Sequence, residues 1–98
     1  MPSTIPQKVI NKYNENPGCH PGIVLENLLS EIGMSQRQLA VKIKRPYQAI
    51  NEIVRCRKRI TAETALSFER ILPGSAHFWL DLQNTYDILE AKKNLNNK

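Results

Sequence analysis

The sequence contains few of the residues that would indicate a secreted, membrane-bound or disulfide-rich protein. Its 98 residues include only two cysteines, Cys19 and Cys56, too few for a disulfide framework. No apolar run approaches the roughly 20 residues needed to span a bilayer. Residues 1–16 lack the apolar core of a secretory signal. We therefore expect a cytoplasmic protein with free thiols and no membrane association.

The residue groupings that catalysis and cofactor binding require are also missing. The four glycines are scattered along the chain, so there is no glycine-rich phosphate loop. No Ser–His–Asp or Cys–His grouping is indicated. Cys19 and His20 are adjacent, but no other Cys or His lies at ligand spacing, so we predict no metal and no cofactor. His20 is instead predicted to hydrogen-bond the first turn of a helix. The sequence thus predicts a binding protein and not an enzyme.

Positive charge is abundant and unevenly distributed. Lys and Arg total 14 against 9 acidic residues, a formal net charge of +5. Half of these basic residues lie within 42–59, where Glu52 is the single acid. Such a cluster favours a polyanionic partner, and nucleic acid before an anionic membrane.

Helix signals divide the chain into a domain with two polar ends. Residues 1–19 are predicted to form a flexible N-terminal arm, with a short helix as the alternative, and residues 92–98 a frayed tail. Residues 20–91 carry five helical patterns and no convincing strand, which predicts an all-α fold. Gly33 is a stop signal for the first helix, and Ser35 with Gln38 forms a capping box at the start of the second. The predicted starts lie at or near Pro21, Ser35, Pro46, Thr61 and Ser75.

The second and third predicted helices have the arrangement of a helix-turn-helix unit. Both are short, and only a few residues around Lys44 separate them. Ile50, Ile53 and Val54 form the apolar stripe of the third helix, so its opposite face is free to enter a major groove. Glutamine and asparagine suit adenine there, and arginine suits guanine. The residues predicted to contact bases or phosphates are Ser35, Gln36, Arg45, Tyr47, Gln48, Ala49, Asn51, Arg55, Arg57 and Lys58, with Arg59 beside the flanking backbone.

A polar helix face is often only a solvated surface, and a basic segment is often only a charged loop. From the residues alone this alternative stays open beside DNA binding. What favours DNA binding is the coincidence of groove-type side chains, a short turn and a basic flank in one unit.

The last predicted helix indicates a dimer. Phe78, Trp79 and Leu80 are consecutive, so one helix face cannot bury all three, and a second apolar surface is expected. We predict a homodimer seam formed by Phe78, Trp79, Leu82 and Tyr86. A dimer would place two reading helices about 34 Å apart, one turn of DNA.

Four segments of the chain together resemble one family. They are HPG at His20–Gly22, GMSQRQLA at Gly33–Ala40, PYQAINEIVRCRKRITAETAL at Pro46–Leu66 and HFWLDLQNTYDI at His77–Ile88. In this combination the sequence resembles the HigA antitoxins, also called the VapI family, within the phage-repressor-like helix-turn-helix regulators. The resemblance covers about residues 20–90.

The resemblance implies a five-helix, lambda repressor-like, dimeric fold and a DNA-binding antitoxin of a type II toxin–antitoxin pair. Such a protein would neutralise a HigB-like mRNA-cleaving toxin and repress its own operon by binding a palindromic operator as a homodimer. It would place the outward residues of the third helix in the groove, here Tyr47, Gln48, Ala49, Asn51 and Glu52.

This chain departs from the family pattern at three positions. Lys44 and Cys56 stand where the family often has glycine, and both positions can require positive φ. Arg45 stands where an apolar residue is common, so its side chain is expected to reach DNA. Two other functions remain open, a stand-alone phage- or plasmid-type repressor without a toxin and a protein–protein adaptor that no longer binds DNA.

Overall fold

A computed structural model describes residues 4–96 of the chain as a bundle of helices. No strand occurs in this range, which confirms the predicted all-α class. The range contains six helices where five were predicted. They are α1 (Gln7–Glu15), α2 (Pro21–Ile32), α3 (Gln36–Ile43), α4 (Tyr47–Val54), α5 (Ala62–Ile71) and α6 (Ala76–Asn96).

The helix starts follow the capping signals of the sequence. The Ser35 hydroxyl accepts from the Gln38 N–H at 3.0 Å, and the Gln38 side chain accepts from the Ser35 N–H at 2.8 Å. This reciprocal pair is the predicted capping box of α3. Thr61 caps α5 through the Thr64 N–H, and the Ser75 hydroxyl accepts from the Phe78 N–H at 3.1 Å.

Three consecutive helices end in one and the same backbone motif. Gly33, Lys44 and Cys56 have positive φ of 72°, 58° and 62° at the ends of α2, α3 and α4. Each lets the next N–H reach back to a free carbonyl, as Arg45 does to Ala40 at 3.0 Å. Positive φ at Lys44 and Cys56 confirms the expectation drawn from the family pattern. Both bear a Cβ that glycine lacks, so each position is strained by about 1 kcal/mol.

The core is formed where α5 and α6 close over α2, α3 and α4. Trp79 is its largest member, fully buried with its ring edge-to-face against Phe68, at 5.2 Å between centroids, and against Phe78, at 5.1 Å. Among the described residues the Trp79 Nε1–H has no hydrogen-bond acceptor, which costs free energy in a buried group. The other fully buried residues of the core include Leu25, Leu28, Leu39, Ile50 and Leu72.

The backbones of α2 and α4 touch at Gly22. A Cβ placed on Gly22 would lie 1.8 Å from the carbonyl oxygen of Ile53, so only glycine allows this approach. His20 caps the same end of α2, with its Nδ1 accepting from the Gly22 N–H at 2.8 Å. This hydrogen bond confirms the predicted role of His20 at the helix start.

The expectation of a flexible arm at residues 1–19 is wrong for the part that the structure describes. Residues 7–15 form α1, which packs on α2 with Val9 only 2% exposed. Tyr13 lies on the same face one turn later, and its hydroxyl accepts from the Gly18 N–H at 3.0 Å. Such a short helix is marginal alone, so packing on α2 stabilises it. Residues 1–3 of the predicted arm lie outside the described range.

The expected frayed tail and dimer seam also need correction. α6 continues to Asn96, so residues 92–96 are helical, and residues 97–98 lie outside the described range. Trp79 and Leu82 are buried inside the single chain, at 0% and 7% exposed, and therefore present no surface to a second copy. Phe78 and Tyr86 are half-buried. The consecutive side chains Phe78, Trp79 and Leu80 can all be accommodated in one chain. This is because α5 and α1 cover different sides of the start of α6.

None of the helices in residues 4–96 is long and apolar enough to cross a membrane.

Candidate nucleic-acid interface

The two faces of α4 divide as the sequence predicted. Ile50, Ile53 and Val54 are buried against the core, whereas Tyr47 and Gln48 are exposed on the opposite side. The buried stripe contacts α2 and α3 and fixes the rotation of α4 about its axis. The exposed side is available to a groove. Of the other predicted contact residues, Arg55, Arg57 and Lys58 are exposed and Arg45, Ala49, Asn51 and Glu52 are half-buried.

A polar contact ties the reading face of α4 to the start of α3. The Asn51 Nδ2 donates to Gln36 Oε1 at 3.1 Å and lies 3.4 Å from the Tyr47 hydroxyl. The Arg37 guanidinium carbon lies 4.2 Å from the centre of the Tyr47 ring, a cation–π contact. These contacts order the side chains before any ligand arrives, which lowers the entropy cost of binding.

The N-terminus of α3 is suited to an anion. The capping box uses the N–H groups of Ser35 and Gln38. The N–H groups of the residues between them belong to the first turn, where no helical carbonyl is available. Together with the positive end of the helix dipole, they can bind a phosphate beside Ser35 and Gln36.

The basic segment after α4 contains both paired and free cations. Lys58 Nζ lies 3.5 Å from Glu52 Oε1, and Arg59 Nη2 lies 2.8 Å from Asp87 Oδ2. Within residues 4–96, Arg55 and Arg57 make no ion pair and are exposed. Glu52 thus pairs with Lys58 and not with Arg55, which lies three positions further along the chain. Asp87 holds the Arg59 side chain, which is 59% exposed, and the placement of Arg59 beside the flanking DNA backbone stays a prediction.

Two titratable groups near α4 have shifted pKa values. Burial lowers the pKa of His20, so the imidazole is neutral and its Nδ1 can accept the Gly22 N–H. Burial also acts on Asp87 and would raise its pKa, but hydrogen bonds from Arg59 and Gln83 and the Arg59 charge outweigh it. The pKa of Asp87 is therefore lowered and its carboxylate is charged near neutral pH.

Both cysteines are free thiols and line one groove beside His20 and Tyr86. Burial raises the pKa of Cys19 and of Cys56, so neither thiol is activated as a nucleophile. Within residues 4–96 no group of three His, Cys, Asp or Glu side chains could hold a metal.

Sequence reasoning missed three residues that help to form this interface. Arg37 on α3 contacts the Tyr47 ring on α4, and no local sequence pattern indicates this contact between two helices. Gln83 and Asp87, on α6, hold the basic segment from the far side. A polar residue among the apolar positions of the last helix was the available signal for Gln83, since buried glutamine requires a partner.

The fold and this interface define a class: a helix-turn-helix protein of the phage-repressor type. No protein-family profile matches the chain. It is 42% identical over 81 residues to virulence-associated protein I of Dichelobacter nodosus, covering 82% of this chain and 75% of that protein. A solved HigA-family antidote protein of Coxiella burnetii is 36% identical, with a TM-score of 0.74 over 82% of this chain and 88% of the other. Pseudomonas aeruginosa antitoxin HigA, solved with the higBA promoter, is 32% identical with a TM-score of 0.76 over the same shares.

The chain belongs to the HigA/VapI family of antitoxins. This membership confirms the resemblance seen in the sequence and the phage-repressor-like fold.

Proposed function

We propose that this chain is the DNA-binding antitoxin of a type II toxin–antitoxin pair. As a homodimer it binds a palindromic operator upstream of its own gene through α3 and α4 and represses that operon. It also binds and neutralises a HigB-like mRNA-cleaving toxin. Its proposed place of action is the cytoplasm.

The observation that carries the proposal is the ordered polar face of α4. Its buried stripe fixes the helix, the Gln36–Asn51 hydrogen bond orders the side chains, and the free cations Arg55 and Arg57 flank them. Phosphate contacts from such a flank position a protein on DNA, and base-edge contacts from such a face give specificity. The relative from Pseudomonas aeruginosa, of the same fold, was solved with its promoter.

Operator binding is tested by titrating the protein against a duplex covering the promoter region of its own gene at several salt concentrations. Each phosphate contact contributes about −0.9 to the slope of log K against log salt. We expect a steep negative slope, and an unrelated duplex of equal length is the control. Equal affinity for both duplexes, or a flat slope, would contradict the proposal and favour an adaptor that no longer binds DNA.

Two substitutions separate base reading from phosphate binding. Gln48→Ala is expected to cost about 1–3 kcal/mol on the operator and to relax specificity at one base pair. Arg57→Ala is expected to weaken all duplexes alike and to reduce the salt slope by about 1. The matched controls are Gln7→Ala and Lys8→Ala on α1, which remove an amide and a positive charge away from α4. Both controls are expected to leave the affinity for DNA unchanged. Unaltered affinity in both test variants would refute the assigned face.

We propose that the dimer contact lies on α6, where Trp79 and Leu82 of the expected seam are buried within one chain but other apolar side chains are exposed. Ile88 and Leu95 are 56% and 68% exposed and lie seven positions apart, hence on one face of the helix. A second copy packing there would remove both side chains from water. Sedimentation of Ile88→Glu is expected to show a monomer, and an unchanged dimer would place the contact elsewhere.

The toxin is the component that separates an antitoxin from a stand-alone repressor. Co-expression with the product of the adjacent gene, followed by purification through a tag on this chain, is expected to yield both proteins in one complex. Purification of this chain alone, with operator binding intact, would favour the stand-alone repressor.

A further inference from the structure

The basic segment after α4 is held from the side of α6 by a chain of hydrogen bonds. Gln83 is 2% exposed, and its Oε1 accepts from the Ile60 N–H at 2.7 Å. Its Nε2 donates to Asp87 Oδ1 at 2.9 Å, and Asp87 Oδ2 accepts from Arg59 Nη2 at 2.8 Å. One buried side chain thus satisfies a buried backbone donor and orients the carboxylate that binds Arg59.

The other end of the same segment is held by α4. The Cys56 N–H donates to Ile53 O at 2.9 Å, and the Arg57 N–H donates to Glu52 O at 2.8 Å. Residues 55–60 are therefore a short loop fixed at both ends, and the free cations Arg55 and Arg57 project from it. The position of these cations relative to α4 depends on both attachments.

We propose that Gln83 and Asp87 are positioning residues for DNA binding. From α6 they hold the loop at residues 55–60 in the conformation that presents Arg55 and Arg57 to the DNA backbone. The inference rests on the proposed operator binding, and it assigns to α6 a role in the affinity for DNA besides any contact with a second copy.

The sign of one charge effect distinguishes positioning from simple electrostatics. Asp87 is an acidic group close to the basic segment, so removing its charge should strengthen binding to a polyanion if charge alone mattered. If Asp87 holds the loop, its removal weakens binding. Arg59 gives the complementary test. If Arg59 bound a DNA phosphate directly and charge alone mattered, Arg59→Ala would weaken DNA binding and Asp87→Ala would strengthen it.

The test compares Asp87→Ala with Glu90→Ala on the promoter duplex. Glu90 lies on the same helix and pairs with Lys93 at 3.2 Å, so its removal deletes the same charge without touching the loop. We expect Asp87→Ala to bind about 2- to 30-fold more weakly, the range of substitutions that act on a site indirectly. Glu90→Ala is expected to bind as well as the wild type or slightly better. Asp87→Glu, which keeps a carboxylate, is expected to recover most of the affinity.

A double-variant cycle provides the second readout. Arg59→Ala and Asp87→Ala should both weaken binding, and the double variant should lose less affinity than the sum of the two, because both substitutions break the Arg59–Asp87 contact. The inference would be overturned if the Asp87→Ala variant bound the promoter duplex as tightly as the Glu90→Ala variant. It would also be overturned if Arg59→Ala and Asp87→Ala changed the affinity in opposite directions.

Misfolding does not confuse the test, because the Arg59 side chain is 59% and the Asp87 side chain 36% exposed, and ion pairs open to solvent contribute little to folding stability. The melting temperature of each variant verifies this, and faster hydrogen exchange of the Ile60 amide in Asp87→Ala is expected locally. If the wild type itself fails to prefer the promoter duplex, the proposed function fails and this inference with it. If the wild type prefers the promoter duplex and Asp87→Ala binds it with the same affinity, only the positioning role is overturned.

Discussion

Gly22 is the point where α2 meets the backbone of α4, and Gly22→Ala tests how strongly that contact holds the reading helix. The added Cβ would lie 1.8 Å from the Ile53 carbonyl oxygen, where real contacts are at least 3.0 Å. One of the two helices must therefore move by at least 1.2 Å, the difference between these two distances. The same oxygen accepts the Cys56 N–H that ends α4, so the shift also disturbs that helix end.

The size of the effect follows from two opposing contributions. Overpacking in a core costs about 3 kcal/mol at the upper end of its usual range. Alanine is about 1 kcal/mol better than glycine in a helix, which offsets part of this loss. We expect Gly22→Ala to lower the free energy of unfolding by about 2 kcal/mol, measured by urea denaturation followed by circular dichroism.

Gly33→Ala is the matched control, because no atom lies within 4 Å of its added Cβ. It carries only the strain of a positive φ, about 1 kcal/mol. Gly22→Ala should also bind the promoter duplex more weakly at temperatures where it is fully folded, whereas Gly33→Ala should not. A Gly22→Ala protein as stable as the wild type, with unchanged operator affinity, would refute the close approach of the two helices.

Three further predictions concern stability. Because burial lowers the pKa of His20, the unfolded chain takes up a proton first as the pH falls below about 6.5. Stability is therefore present above that pH and lost below it, and His20→Asn should flatten this loss in urea titrations. Cys56→Gly should raise the free energy of unfolding by about 1 kcal/mol by relieving the left-handed strain, and an equal gain in Cys56→Ala would contradict this cause. Val9→Ala should lower it by about 2 kcal/mol if α1 is part of the folded core, with the exposed Ile10→Ala as control.

The local signals of the sequence predicted most of the helices and the orientation of α4. The capping box at Ser35 and the apolar spacing of Ile50, Ile53 and Val54 act within one helix, so they can be recognised without knowledge of the fold. The polar, proline-containing segment 1–19 predicts a flexible arm, because the one strongly buried side chain of α1, Val9, acquires a partner only through α2.

The wrong expectation for the dimer seam and the missed contacts of the basic segment after α4 have a different cause. The apolar pattern of the last helix predicts a dimer seam at Trp79 and Leu82, because periodicity cannot reveal that the rest of the chain covers two sides of α6. Arg59, Gln83 and Asp87 meet across more than twenty residues of sequence, and nothing in their spacing indicates that contact. Long-range polar contacts of this kind decide which cations of the basic segment remain free.

Trp79 gives the protein a built-in optical reporter. It is the single tryptophan of the chain, is fully enclosed, and has no hydrogen-bond acceptor for its indole N–H among the described residues. An indole in such dry surroundings emits at shorter wavelength than one in water. Its fluorescence should shift to the red when the core opens and stay unchanged when a ligand occupies the distant face of α4, so one emission spectrum separates a variant that has lost its fold from one that has lost only its partner.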